Sequence, residues 1–175
     1  MKRLTKPIAL LIFAILSMAA MTTQAQITKG EKSFGPKVGY ISKNTSAVAG
    51  LVFRYSFSDH IRIAPELSYA FKHNDLDAFM FDLNVNIPFG IIGAERVALY
   101  PLAGMNYSSW NRHTDKTQQE LDDDVSTRRN RFGLNLGAGF ELKCSETIKL
   151  NLEAKYCFIK GYSSTMITLG FGYIF

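Results

Sequence analysis

Residues 132–142 read FGLNLGAGFEL. Phe132, Leu134, Leu136, Ala138, Phe140 and Leu142 share one face of an extended chain, and Gly133, Asn135, Gly137, Gly139 and Glu141 share the other. Alternation of this kind is the signature of a β-strand with two unlike surroundings. The same rhythm runs through the chain. It appears at 34–41, 47–57, 61–72, 79–88, 96–107, 148–158 and 165–175. The stretch 96–107 is the least regular, with Val97, Leu99, Ala103, Met105 and Tyr107 taken as its apolar face and Arg96, Gly104 and Asn106 opposite. Eight strands are predicted, most of them long enough to meet the ~9–11 residues that a tilted strand needs to cross a bilayer.

Volume decides which face is inside. Roughly 40 large apolar side chains cannot fit into an eight-stranded barrel, whose interior is just wide enough for side chains to fill. The opposite face is glycine, serine, asparagine and charge, and it suits a crowded lumen. The apolar face therefore points to lipid. Aromatics gather at both strand ends: Tyr40, Tyr69, Phe71, Phe79, Tyr107, Trp110, Phe132, Tyr156 and Phe158 at one, and Phe34, Phe57, Phe89, Phe140, Tyr173 and Phe175 at the other. Such girdles flank the apolar band of a membrane barrel. The predicted fold is all-β, an eight-stranded antiparallel up-and-down transmembrane β-barrel, with its last strand pairing to its first because lipid tolerates no open sheet edge.

The first 25 residues form a separate unit. Lys2, Arg3 and Lys6 precede an apolar run from Ile8 to Met21, and Thr23 and Ala25 supply small residues before a cut between Ala25 and Gln26. This is the layout of a cleaved signal peptide. Its removal leaves 17 basic and 15 acidic residues, a net charge of +2, so the basic character of the whole chain is no argument for nucleic acid. The mature barrel spans 26–175, with a periplasmic N-terminal segment at 26–33. Connections alternate in length, and the one long connection, 108–131, falls on the set that includes 42–46, 73–77 and 160–164. Outer-membrane barrels have short periplasmic turns and longer external loops, so 108–131 is external. Cys144 and Cys157 are the only cysteines. Placed in a turn and near the far end of the next strand, they are roughly 30–40 Å apart at ~3.3 Å per residue, and two free thiols are expected.

The signal ending QAQ, the segment GLNLGAGFELKCSETIKLNLEAKY (133–156) and the closing GFGYIF (170–175) resemble the small outer-membrane β-barrel proteins of Gram-negative bacteria, grouped as porin-family or OmpA/OmpX-like barrels. The resemblance covers essentially the whole mature chain. It implies residence in the outer membrane, contact with outer-membrane lipid and lipopolysaccharide, and recognition by the barrel-assembly machinery through the alternating C-terminal aromatics, here Phe171, Tyr173 and Phe175. A monomer is expected.

The predicted lumen carries Lys37, Arg54, Arg62, Glu66, Lys72, Asp82, Arg96, Glu141, Lys149, Glu153 and Lys155. An unpaired charge there would be costly. The turn near 145 sets Glu141 across from Lys149, and the turn near 59 sets Arg54 diagonal to Glu66. The leading expectation is a side-chain-plugged barrel with a structural or surface-interaction role through its external loops. A narrow channel for small solutes or ions is the first alternative, and a lipid hydrolase at the external rim is the second. His73, Asp75, Ser108, Ser109, His113 and Asp115 supply the residue types for hydrolysis, but at no diagnostic spacing. The acidic run Asp122–Asp124 lacks the glycine and the ligand spacing of a calcium loop. No catalytic residue, metal or cofactor is assigned, and the chain is expected not to be an enzyme. Arg128, Arg129 and Arg131 are placed to meet lipopolysaccharide phosphates.

Overall fold

The computed structural model describes residues 28–43, 45–73, 76–91, 94–112 and 127–175. They form β1 (Lys32–Ile41), β2 (Ser46–Ser58), β3 (Ile61–His73), β4 (Leu76–Asn86), β5 (Phe89–Ile91), β6 (Ala94–Arg112), β7 (Thr127–Lys143), β8 (Ile148–Ile159) and β9 (Ser164–Ile174). All pairings are antiparallel. Sequence neighbours pair around the sheet, β4 pairs with β6, and β9 returns to β1 with Lys37 opposite Gly170. The result is a closed eight-stranded barrel.

The extra strand, β5, is a continuation of β4. The segment 88–95, read from sequence as a turn, contains β5, which pairs with the same β6 that β4 pairs with. Pro88 separates the two because it has no N–H to give the ladder. The last bond before it runs from the Ile87 amide to the Pro101 carbonyl at 3.1 Å.

The opening stretch has its answer. Phe132, Leu134, Leu136 and Phe140 are exposed, while Asn135 and Glu141 are buried. The same parity holds in β8 and β9, where every second residue is buried inside the barrel. Exposed large apolar side chains continue around the whole outer wall, from Val38 and Leu51 to Leu152 and Leu169. A surface this apolar is the face of a protein solvated by lipid. Neighbours two residues apart on one strand form aromatic pairs at both ends: Tyr69–Phe71 and Tyr156–Phe158 at one, Tyr55–Phe57 and Tyr173–Phe175 at the other.

Two sequence expectations need correction here. Trp110 is not part of the lipid-facing girdle. It is 1 % exposed and lies inside the barrel. The long connection is also shorter than expected, because Ser108–Arg112 extend β6 and Thr127–Arg131 extend β7, paired from Ser108↔Arg131 to Arg112↔Thr127. The signal segment 1–25 and residues 113–126, with His113, Asp115 and Asp122–Asp124, lie outside the described residues, as does Asp75.

Space inside is set by glycine. A methyl group on Gly137 would come within 2.3 Å of the Ala154 carbonyl oxygen, and one on Gly139 within 2.1 Å of the Tyr100 ring. The glycines of FGLNLGAGFEL thus admit a neighbouring backbone and an aromatic ring that a side chain would push away.

Candidate functional site

Buried side chains project into the lumen in three tiers. At the end of the bore near Arg112 and Thr127, the first is an apolar cluster: Ile41, Val48, Ala70, Leu76, Ala78, Met80, Trp110 and Met166. These residues sit on the inward parity of their strands, and together they bury a core where sequence parity had been read as polar. Tyr162 closes it from above, stacked on Trp110 with ring centroids 4.9 Å apart. The β8–β9 turn makes this possible. Gly161 takes φ +78°, a left-handed conformation that costs glycine little, and the Tyr162 amide donates to the Ile159 carbonyl at 2.9 Å. The Lys43 ammonium lies 5.6 Å from the Tyr162 ring centroid. The Trp110 indole N–H donates to Ser108 Oγ at 3.0 Å, so the one polar atom of the ring is satisfied.

The middle tier is ionic. Glu66 receives Lys37 and Lys155, the latter at 2.7 Å, and its second oxygen accepts from Asn84 at 2.9 Å. Asp82 accepts from Lys155 at 3.0 Å, from Asn135 at 2.9 Å and from Asn106. Asn135 also donates to Asn84 at 3.0 Å. Lys155 thereby joins two carboxylates, with Glu153 a third at 3.7 Å. Every one of these side chains is nearly or fully buried. Cys157, just beyond Lys155, is a buried free thiol, and Cys144 is an exposed one in the β7–β8 turn.

The third tier lies toward the opposite end, beside Glu31 and the β7–β8 turn. Arg62 donates to Glu141 at 2.8 Å and lies with its guanidinium carbon 4.8 Å from the Tyr100 ring centroid. Lys149 bridges Glu141 at 3.3 Å and Glu31 at 2.7 Å. The Tyr100 hydroxyl donates to Glu153 at 3.2 Å.

Nine of the eleven charged residues assigned to the lumen from sequence are buried there: Lys37, Arg54, Arg62, Glu66, Asp82, Glu141, Lys149, Glu153 and Lys155. Arg96 and Lys72 are the exceptions. Arg96 is exposed near the start of β6, which begins at Ala94. Lys72 is exposed near the far end of β3, next to His73. The Glu141–Lys149 pair forms, but Arg54 does not pair with Glu66. Glu66 is already held by Lys37 and Lys155. Tyr100 and Leu102, on the irregular β6, are buried inside and had no place in the sequence reading. Of the residues considered for hydrolysis, Ser108 and Ser109 are buried and His73 is exposed. Phe171, Tyr173 and Phe175 are exposed on the outer wall of β9 and at its end.

With this geometry in place, known proteins can be compared. The family model described as outer membrane protein beta-barrel domain matches residues 9–175. No curated protein matches the chain. Among solved structures, the N-terminal β-barrel domain of OprF from Pseudomonas aeruginosa is similar at 19 % identity and a TM-score of 0.64, covering 85 % of this chain and 100 % of that one. Ail, the attachment invasion locus protein of Yersinia pestis, has 19 % identity and a TM-score of 0.60, again covering 85 % and 100 %. Neisserial surface protein A has 11 % identity and a TM-score of 0.62, covering 83 % and 96 %. At such identities the likeness is one of fold.

Proposed function

From its place in the outer membrane protein beta-barrel domain family, to which this chain belongs, we propose that it is a structural outer-membrane barrel with a closed lumen that acts through its external surface. The observation that carries this reading is that two unlike sets of buried side chains, one apolar and one ionic, project into the bore. A solute entering from outside meets the Tyr162–Trp110 stack and the apolar cluster behind it. One entering from the periplasm meets Arg62, Glu141 and Lys149, tied to one another. Passage requires both layers to open, and each carries an independent cost: lost apolar packing in one and broken buried ion pairs in the other.

Conductance tests the reading. The chain from Gln26 to Phe175, refolded and shown by heat-modifiable gel mobility to be a closed barrel, is expected to give no steady channels in planar bilayers. Reproducible unitary steps from that preparation would replace the closed barrel with a pore.

The surface role draws support from the charge at the external rim. Lys43, Lys72, Arg129 and Lys160 are exposed there and Arg131 is half-buried, whereas the described acid at that end, Asp77, is buried and accepts from Tyr69 and Asn111. Cations at headgroup level fit the phosphates of lipopolysaccharide. The side chain of Arg128 lies outside the described residues. Changing Arg129 and Arg131 to glutamine is expected to weaken lipopolysaccharide binding by several-fold at low salt and to leave unfolding midpoints in detergent unchanged. Equal binding by the variant and the parent would remove the rim from the account. The outward Phe171, Tyr173 and Phe175 are in turn available to the barrel-assembly machinery before β9 closes on β1.

A further inference from the structure

Among the described residues, ion pairs account for four of the five buried cations of the lumen, and the fifth is Arg54. Lys37, Arg62, Lys149 and Lys155 each have a carboxylate within 4 Å. Arg54 is 2 % exposed and makes no such pair, and its Nε has no hydrogen-bond partner. It is not alone. Arg62 Nε and Nη2, both side-chain atoms of Asn86, and the hydroxyls of Ser33 and Ser56 are also buried without a partner. The register shows that these residues form one patch. Ser33 lies opposite Arg54. Ser56 lies opposite Arg62, which lies opposite Asn86. Arg54 and Ser56 are two apart on β2 and share its inner face.

The chemistry of the patch is lopsided. Guanidinium N–H groups can only donate, hydroxyls can turn to donate, and the Asn86 amide nitrogen offers two more hydrogens. Some nearby acceptors are committed, while Asn86 Oδ1 is not. Glu141 spends one oxygen on Arg62 and the other on Lys149. Glu153 receives Tyr100 on one oxygen, and its other oxygen has no hydrogen-bond partner. Buried donors without acceptors are rare in folded proteins and point to a group that satisfies them. We infer that the periplasmic half of the lumen is a binding site for a small monovalent inorganic anion of the halide type, held between Arg54 and Arg62 with Asn86, Ser33 and Ser56 around it. A halide supplies a charge for Arg54 and has no hydrogens that would need acceptors of their own. Water could meet the same donors and also serve the unpartnered Asn86 Oδ1 and Glu153 oxygen, so bromide density is what tells the two apart. The site is independent of the surface role proposed above.

Bromide is the direct probe. Crystals of the refolded mature chain grown in bromide should show an anomalous peak within hydrogen-bond distance of Arg54 and Arg62. Thermal unfolding in detergent supplies the second readout, with chloride compared to gluconate at equal ionic strength. Chloride at roughly ten times its Kd should raise Tm by about 3–6 °C over gluconate, and Arg54→Gln should abolish that difference. Should Arg54→Gln fail to fold, the bromide experiment on the unaltered chain still decides. Density for water alone, Arg54 closed directly onto Glu153, or identical Tm in the two salts would overturn the site.

Discussion

Lys155→Met is expected to destabilise the barrel by about 3–5 kcal/mol, the usual cost of removing one partner from a buried ion pair. The reason lies with the carboxylate left behind. Glu66 keeps Lys37 when Lys155 goes. Asp82 does not, since Lys155 is its only cation within 4 Å among the described residues. Asp82 would keep the amides of Asn106 and Asn135, but a buried ionised carboxylate with no counter-charge is costly. Asp82→Asn in the Lys155→Met background removes that charge while retaining an acceptor for the two amides, and it should recover most of the loss. Unfolding of the refolded barrel in urea, followed by the heat-modifiable band, measures both. Equal midpoints for parent and Lys155→Met would show that the middle tier is wet and screened. Failure of Asp82→Asn to help would show that the loss does not come from an uncompensated Asp82 charge.

Trp110→Ala is the second large effect, again about 3–5 kcal/mol, because it opens a cavity in a confined apolar core. Ile41, Met80 and Met166 surround the ring and Tyr162 covers it, and residues on closed strands have little freedom to collapse into the space. Phe132→Ala on the same urea assay is the control. Phe132 is 80 % exposed on the outer wall, and truncating it leaves lipid or detergent to fill the gap. The expected order is a large loss for Trp110→Ala and a much smaller one for Phe132→Ala. The reverse order would return Trp110 to the lipid-facing girdle.

The fold was legible because one physical rule repeats over it. A strand between lipid and a narrow bore must alternate, and FGLNLGAGFEL alternates without a break. Charge was legible for the same reason. Nine of the assigned lumen charges stand on the glycine-rich parity and are buried there. Arg96 shows the limit: parity fixes a side, but not how far along the strand the lumen extends. Trp110 shows another. Its parity follows from the outward Tyr107 three residues before it, yet an aromatic near a strand end also fits a girdle, and only the packing with Met80 and Met166 from β4 and β9 decides. The Arg54 pairing failed on competition. Two strands suggest a diagonal pair, but Glu66 faces the whole bore and is reached by Lys155 from β8, a contact across the barrel that no local turn reveals.

The central claim is that one face of each strand meets lipid and the other meets a filled lumen, and spin labels on β7 test it most directly. With Cys144 and Cys157 changed to serine, single cysteines at Leu134, Leu136 and Phe140 would be labelled, reconstituted in liposomes and compared with labels at Asn135 and Glu141. The account predicts that the first three collide freely with oxygen and hardly at all with a water-soluble nickel reagent, and that the last two are shielded from both or fail to give a folded barrel. Strong collision of the Asn135 or Glu141 label with the nickel reagent in a heat-modifiable barrel would show an open, water-filled bore and contradict it.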